Sequence, residues 1–389
     1  MSKGLATMRR ERDIKIDLIK GIGIILMVVR HARAPYSKII LLFHMAVFFI
    51  ASGCLYDGSK IRDSGSLKNY VLKKIKGLWF PQFAFSVLFV LLNNVFIHLN
   101  IYTDNPEFLL AEGAEVTYRR LAAHYSVTDI MRQIVKAAFF QCQTQVGGAF
   151  WFFYTLFTVL VTYATVDYAL SKICRKANPM LIKGIVSVIL LLIGYYCYLN
   201  GMMLKGFSRV FSVYILIFIG ESLRFMNQRV NEASHSVYKE ILMMLVSAAI
   251  LLIAQFYGDI DLSSNSIENP FFFLLVSLAG WFLLYGIASL IIRAKWVHAV
   301  RAISCISVHS VAIIALHFCC FKVVNAIAVL AAGQEYYMIA SFPVLMYSGM
   351  WWLAYTAVGI CLPLGVNYIF WQIVHIIKIL LVKSRGKGL

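Results

Sequence analysis

The residues best placed for chemistry in this 389-residue chain are histidines at the ends of apolar runs. In "IKGIGIILMVVRHARAPYSKIILLFHM", Lys20 and His31 are eleven positions apart. As helix, that is close to three turns and about 16 Å of axis, so both side chains fall on nearly one face. Such a helix carries a cation towards one end and an imidazole near the other. His44 opens the next apolar run at a similar depth. Histidine accepts a proton near neutral pH, and ionisable groups within apolar spans usually face a cavity. A histidine at a helix end beside water can equally be structural. Arg30 and Arg33 flank His31.

A second cluster is "LKKIKGLWFP", with Lys73, Lys74 and Lys76. Lys73 and Lys76, three apart, share a helix face and can hold phosphates of a ligand. Positive charge that anchors a membrane helix explains the same residues. Trp151, in "GGAFWFFYTLF", suits an aromatic belt or packing. His317, in "IALHFCCF", falls mid-span and must find a partner or a cavity. Asp167, Glu221 and Arg224 lie near span ends and read as interfacial. The chain has no GxSxG, HExxH or Walker A pattern, so hydrolase, metalloprotease and ATPase readings lack support.

These residues must be positioned by membrane helices. Hydrophobic residues make up 61% and charged residues 14%, where a soluble domain carries about 25% charged. Apolar runs of span length recur throughout. We read an all-α integral membrane protein of about ten transmembrane helices, at 14–31, 38–56, 78–99, 148–168, 180–199, 207–223, 241–257, 271–292, 307–330 and 341–364. The whole chain, 1–389, reads as one polytopic domain. Val366 to Val382, with Gln372, His375 and Lys378, either prolongs the last span or lies along the interface.

The net charge of +18 is spread over short loops rather than gathered in one patch, which argues against nucleic acid. One alternating set of loops holds 25 Lys and Arg and the other 9. That bias places both termini in the cytoplasm, including a tail at about 383–389. The run Ile14 to Val29 has no small-residue cleavage site and reads as the first span, not a signal peptide. The outer loop 257–270 is acidic (Asp259, Asp261, Glu268). A long outer loop at about 100–147 contains Glu107, Glu112, Glu115, Arg119, Arg120 and His124, and its residues 128–140 fit an amphipathic helix lying at the outer surface. The eight cysteines show no CxxC spacing, so neither a disulfide framework nor a metal site is expected.

Taken together, these blocks resemble the membrane-bound acyltransferase 3 family. "RDIKIDLIKGIGIILMVVRH" is similar to its opening pattern, whose basic residue and histidine fall on Lys20 and His31. "LLFHMAVFFIASGCLY" resembles its second-helix signature and holds His44. "YVLKKIKGLWFPQF" resembles the stretch that carries an Arg-x-x-Arg pair, here Lys73 and Lys76; lysine keeps the charge but loses the bidentate fork. "GGAFWFFYTLF", "NPFFFLLVSLAG" and "SVHSVAIIALHFCCF" resemble later segments, so the likeness runs from about residue 12 to 330.

The resemblance implies an O-acyltransferase of bacterial surface glycans in stand-alone form, in the bacterial cytoplasmic membrane. It implies an acyl-CoA donor, most often acetyl-CoA, used as substrate with no permanently bound cofactor. The partners implied are acyl-CoA, a glycan acceptor and the bilayer. In that frame Lys20, Lys73, Lys74 and Lys76 receive the CoA nucleotide, and its pantetheine arm extends towards His31. His31 takes the hydroxyl proton, by direct transfer or through an acyl-histidine, and His44 orients His31 or binds the acceptor. Arg30, Arg33, Trp151 and His317 are assigned to the acceptor or the oxyanion. The rival reading is a polysaccharide or lipid-linked sugar transporter or flippase. It explains the spans and the buried ionisable groups, but the chain shows neither matching halves nor paired Gly/Pro-broken helices.

Overall fold

A computed structural model describes residues 14–111, 121–173, 178–229 and 237–385. Glu112, Glu115, Arg119, Arg120, Cys174, the residues before Ile14 and the tail beyond Arg385 lie outside it. The chain is a helical bundle, and among the described residues nine helical stretches are long and apolar enough to cross a membrane. The expected tenth, α1 (Ile14–His31), forms over the expected residues but carries Lys15, Asp17 and Lys20. It packs among other helices, which explains how it tolerates them.

Next come α2 (Ser37–Leu41) and α3 (His44–Cys54), a single apolar stretch broken at Phe43. α4 (Ser64–Lys74) continues through a π-turn over Ile75–Trp79 into α5 (Phe80–Leu91), followed by α6 (Asn93–His98). The third span therefore starts at Ser64, fourteen residues before the expected 78. An Asp63–Ser66 capping box starts it there, where hydropathy alone gives no signal.

α7 (Val127–Ala138) begins with a Ser126–Asp129 capping box and forms where the pattern predicts. It does not lie flat on the surface. Asn94 donates to the Tyr125 carbonyl (2.9 Å), and Trp79 Nε1 donates to the Ala138 carbonyl (2.9 Å). Asn94 and Trp79 are about 22 Å apart along helix, so α7 descends beside α5. Ala137 and Cys142 pack with Val90, joined by Phe83, Ile130 and Ile134. The segment after α7 turns back towards α8 (Trp151–Ile173), with Phe140 against Tyr154 and Phe157.

α9 (Pro179–Leu199), α10 (Phe207–Arg229) and α11 (Val237–Ala254) follow. A two-residue hairpin, β1 (Ile260–Asp261) with β2 (Ser266–Ile267), precedes α12 (Pro270–Arg293). Asn178 and Asn269 cap α9 and α12, each ahead of a proline at the first helical position. α10 crosses α3 where Gly53 and Gly220 let the backbones touch: a Cβ on either would run into a carbonyl of the other helix.

The chain ends with α13 (Val297–Val308), α14 (Ser310–Ala332) and α15 (Trp351–Arg385). Val366 to Val382 prolongs α15 and does not form a separate interfacial element. The last span begins at Trp351 and not at 341. Before it, Tyr336–Ala340 is a 3-10 turn and Phe342–Pro343 is a cis peptide. Side chains of α14 satisfy this irregular backbone. Lys322 donates to the carbonyls of Ala340 (2.8 Å) and Ser341 (2.7 Å), and Asn325 donates to Ile339 and Ser341 (both 2.9 Å). Non-helical backbone survives at membrane depth only with such partners.

Asp167 and Glu221, read from sequence as interfacial, belong to a buried network. Lys183 lies 3.1 Å from Asp167 and 2.7 Å from Glu221. Tyr56 donates to Asp167 (2.7 Å), and Tyr163 donates to Glu221. Arg224 pairs with Asp57 (3.2 Å) and donates to the Tyr56 carbonyl. Burial opposes ionisation of Asp57, but hydrogen bonds from Ser59 and Lys60 and the Arg224 charge outweigh it and hold the carboxyl below its usual range. The network joins α8, α9 and α10 to the segment after α3.

Candidate active site

The loop charge pattern groups 30–38, 100–147, 199–209 and 257–270 on one side. Segments from all four converge on one cavity of about 1060 Å³. Its lining includes Arg30, His31, Arg33, His44 and Trp151, five of the sequence-predicted residues. Arg30 and His31 end α1, while the left-handed backbone of Arg33 (φ 59°) and Tyr36 (φ 60°) turns the chain back so that His44 starts α3 close by.

The imidazoles are oriented by backbone carbonyls. A carbonyl can only accept, so the 2.8 Å contact of His44 Nδ1 with the Ile40 carbonyl places the proton on Nδ1 and leaves Nε2 as acceptor. His44 is buried yet borders the cavity. His317 does not line the cavity. It sits behind His31, with ring centroids 5.3 Å apart, and Phe318 packs edge-on against His31 at 4.7 Å. His317 Nδ1 donates to the carbonyls of Ile313 (2.9 Å) and Ile314 (3.1 Å). Its Nε2 is fully buried and has no hydrogen-bond partner among the described residues. The site thus contains three imidazoles, two with a fixed tautomer.

Several cavity residues carried no signal in the sequence. Arg209 donates to the Ser263 carbonyl (2.8 Å) and lies 5.5 Å from the Trp151 ring centroid. Trp151 therefore acts as a platform for a guanidinium. Lys205, Gln82, Gln145 and Thr144 also line the cavity. Loop cations in a single chain look alike until the fold selects among them. Asp261, from the hairpin, accepts from Ser263 N (2.9 Å) and Oγ (2.6 Å). Burial pushes the Cys142 thiol up to about 11 and raises the Tyr102 phenol as well. Both stay protonated at neutral pH, so neither a thiolate nor a phenolate from these two residues acts as a base in this lining.

The four lysines assigned to the donor are elsewhere. None of Lys20, Lys73, Lys74 and Lys76 lines the cavity. Lys74 lies within electrostatic reach of Lys20 and Lys73 and over the Tyr70 ring (4.9 Å). Lys73 and Lys76 are exposed. The cavity reaches as far down α1 as Met27, and between Met27 and Lys20 the residues Ile24, Phe48 and Phe49 are packed core. The lysine cluster and the imidazoles therefore occupy two ends of α1, with packed side chains such as Ile24 between them among the described residues.

A membrane-embedded helical bundle whose polar cavity gathers imidazoles and cations is the class of protein that the fold and site define. The chain belongs to the acyltransferase 3 family: the family's sequence model, described as an acyltransferase domain, matches residues 13–372. It is a membrane acyltransferase. No curated protein and no solved structure compared with the chain is significantly similar to it.

Proposed function

We propose that this acyltransferase moves an acyl group, acetyl in the first instance, from a cytoplasmic acyl-CoA to a hydroxyl of a cell-surface or lipid-linked glycan. In this reading it sits in a bacterial cytoplasmic membrane with both termini in the cytoplasm and the cavity opening outwards. The observation that carries the reading is the meeting of His31 and His44 with Arg30, Arg33 and Arg209 around one cavity, in a chain of an acyltransferase family. His31 accepts the proton as the hydroxyl oxygen attacks the thioester carbonyl. The carbonyl oxygen gains charge opposite Arg30. The C–S bond then breaks, and the thiolate leaves and takes the proton from the imidazolium. His44, which borders the cavity, holds the sugar hydroxyl or the His31 ring.

The donor nucleotide binds at the Lys20, Lys73, Lys74 and Lys76 end. For the acyl group to reach His31, the side chains between Lys20 and Met27 must part. The test is mass spectrometry of surface polysaccharide from cells that express the wild-type chain or His31→Ala, with membrane insertion checked in both. O-acetyl groups present with wild type and lost with His31→Ala are the expected result. Equal acetylation removes His31 as the base.

A further inference from the structure

Among the described residues, four cations line the cavity: Arg30, Arg33, Lys205 and Arg209. Among the described residues the lining holds one carboxylate, Asp261, and its oxygens already accept from Ser263 and Ser264. The nearby Asp259 pairs with Lys38 (3.4 Å), which does not line the cavity. The lining therefore carries an excess of positive charge within a partly enclosed, low-dielectric space. Such a space focuses the field on whatever enters it.

Among the described residues the donors are also incompletely used. Arg209 gives one Nη to the Ser263 carbonyl, and its Nε is buried without a partner. Arg30 Nε is buried without a partner as well. Burying an N–H with no acceptor is unfavourable, and here it happens twice in one cavity. The Trp151 ring holds the Arg209 guanidinium on one side. The rest of the wall is rich in neutral amides, including Gln133, Gln141, Gln143 and Gln145. Amides match the hydroxyls of a sugar, and guanidinium forks match carboxylate or phosphate.

We infer that the acceptor in this cavity is an acidic carbohydrate, recognised through its anionic groups by Arg209 and Arg30 with Lys205 at hand. This names the acceptor class and rests on the acyl-transfer reading only for the word acceptor. The binding site itself stands on the charge and donor pattern.

The experiment measures binding to the full chain in lipid nanodiscs with no acyl donor present. The probes are oligogalacturonate and the same oligosaccharide with its carboxylates methyl-esterified, which removes the charge and keeps the sugar. We expect the acid to bind at least tenfold more tightly than the ester, with affinity falling as salt rises. Arg209→Gln should lower acid binding at least tenfold and leave ester binding unchanged. Arg30→Gln serves as the independent variant should Arg209→Gln fail to fold. Equal binding of acid and ester overturns the proposal. So does coenzyme A that displaces the acid and weakens in parallel in Arg209→Gln, because the cations then serve the donor. Arg209-dependent acid binding that persists in His31→Ala, in a protein that transfers no acetyl group, leaves this site standing while acyl transfer fails.

Discussion

The imidazole rings of His31 and His317 lie 5.3 Å apart, on the first helix and on α14 near the far end of the sequence. The Nδ1 proton of His317 is committed to two carbonyls, so Nε2 is its only basic atom, and that atom is buried with no partner among the described residues. A group in that position can take the N–H of a neighbouring imidazole and so fix which nitrogen of His31 faces the cavity. Orienting partners of this kind are worth about 10- to 100-fold where they hold metal-bound histidines. His317→Gln, whose amide oxygen can stand near the Nε2 position, should retain transfer within about tenfold. His317→Asn keeps only the Nδ1-like donor, and His317→Phe keeps only the shape. Both should fall about 10- to 100-fold, with a changed pH–rate profile. Equal activity in all three would make His317 a packing residue.

Lys183 sits between two buried carboxylates, Asp167 and Glu221. Removing it leaves both unmatched in a low-dielectric core, a loss of about 3–5 kcal/mol for buried ion pairs. Lys183→Met should therefore lower the melting temperature in detergent markedly. Adding Glu221→Gln removes one of the unmatched charges and should recover part of the loss. A double variant no more stable than the single would show that the tyrosine hydroxyls already carry the charge.

Gly280 supports His44 at one remove. A Cβ at position 280 would overlap the Phe43 side chain, and Phe43 is the residue that breaks α2 from α3 just before His44. Overpacking of this kind costs about 1–3 kcal/mol. Gly280→Ala should lower both melting temperature and turnover, and the added change Phe43→Gly, which removes the overlapping Cβ together with the ring, should restore the former more than the latter. Turnover unaffected by Gly280→Ala would mean that His44 needs no such precision.

Most of the spans, and the meeting of His31 and His44 at one cavity, were legible because hydropathy and helical spacing are local properties. Other features depend on partners distant in sequence. The start of the third helix at Ser64 depends on a capping box in a polar stretch. The descent of α7 depends on Asn94 and Trp79, residues with no pattern of their own. The late start of the last helix depends on Lys322 and Asn325 of α14, which satisfy the irregular backbone before it. Arg209 looked like any loop cation until the hairpin carbonyl of Ser263 and the ring of Trp151 were placed beside it. His317 was singled out as costly, but its neighbour could not be read from sequence. The lysine cluster showed the converse, since spacing on one helix aligned Lys20 with His31 but could not show that packed side chains separate them.

The exposed pair Lys73 and Lys76 gives the sharpest test of where the donor binds. If they hold CoA phosphates in both ground and transition states, their loss weakens binding uniformly, which raises KM and spares kcat. Lys73→Gln with Lys76→Gln should raise the acyl-CoA KM about tenfold or more, while kcat stays within about twofold and the KM for the glycan does not move. If the lysines serve only to anchor the helix on the cytoplasmic side, the same double variant should leave both kinetic constants alone and reduce the fraction of correctly inserted protein. Labelling of single cysteines placed in the loops on either side of α4 and α5 measures that fraction. Steady-state kinetics on the correctly inserted protein then separates the two roles.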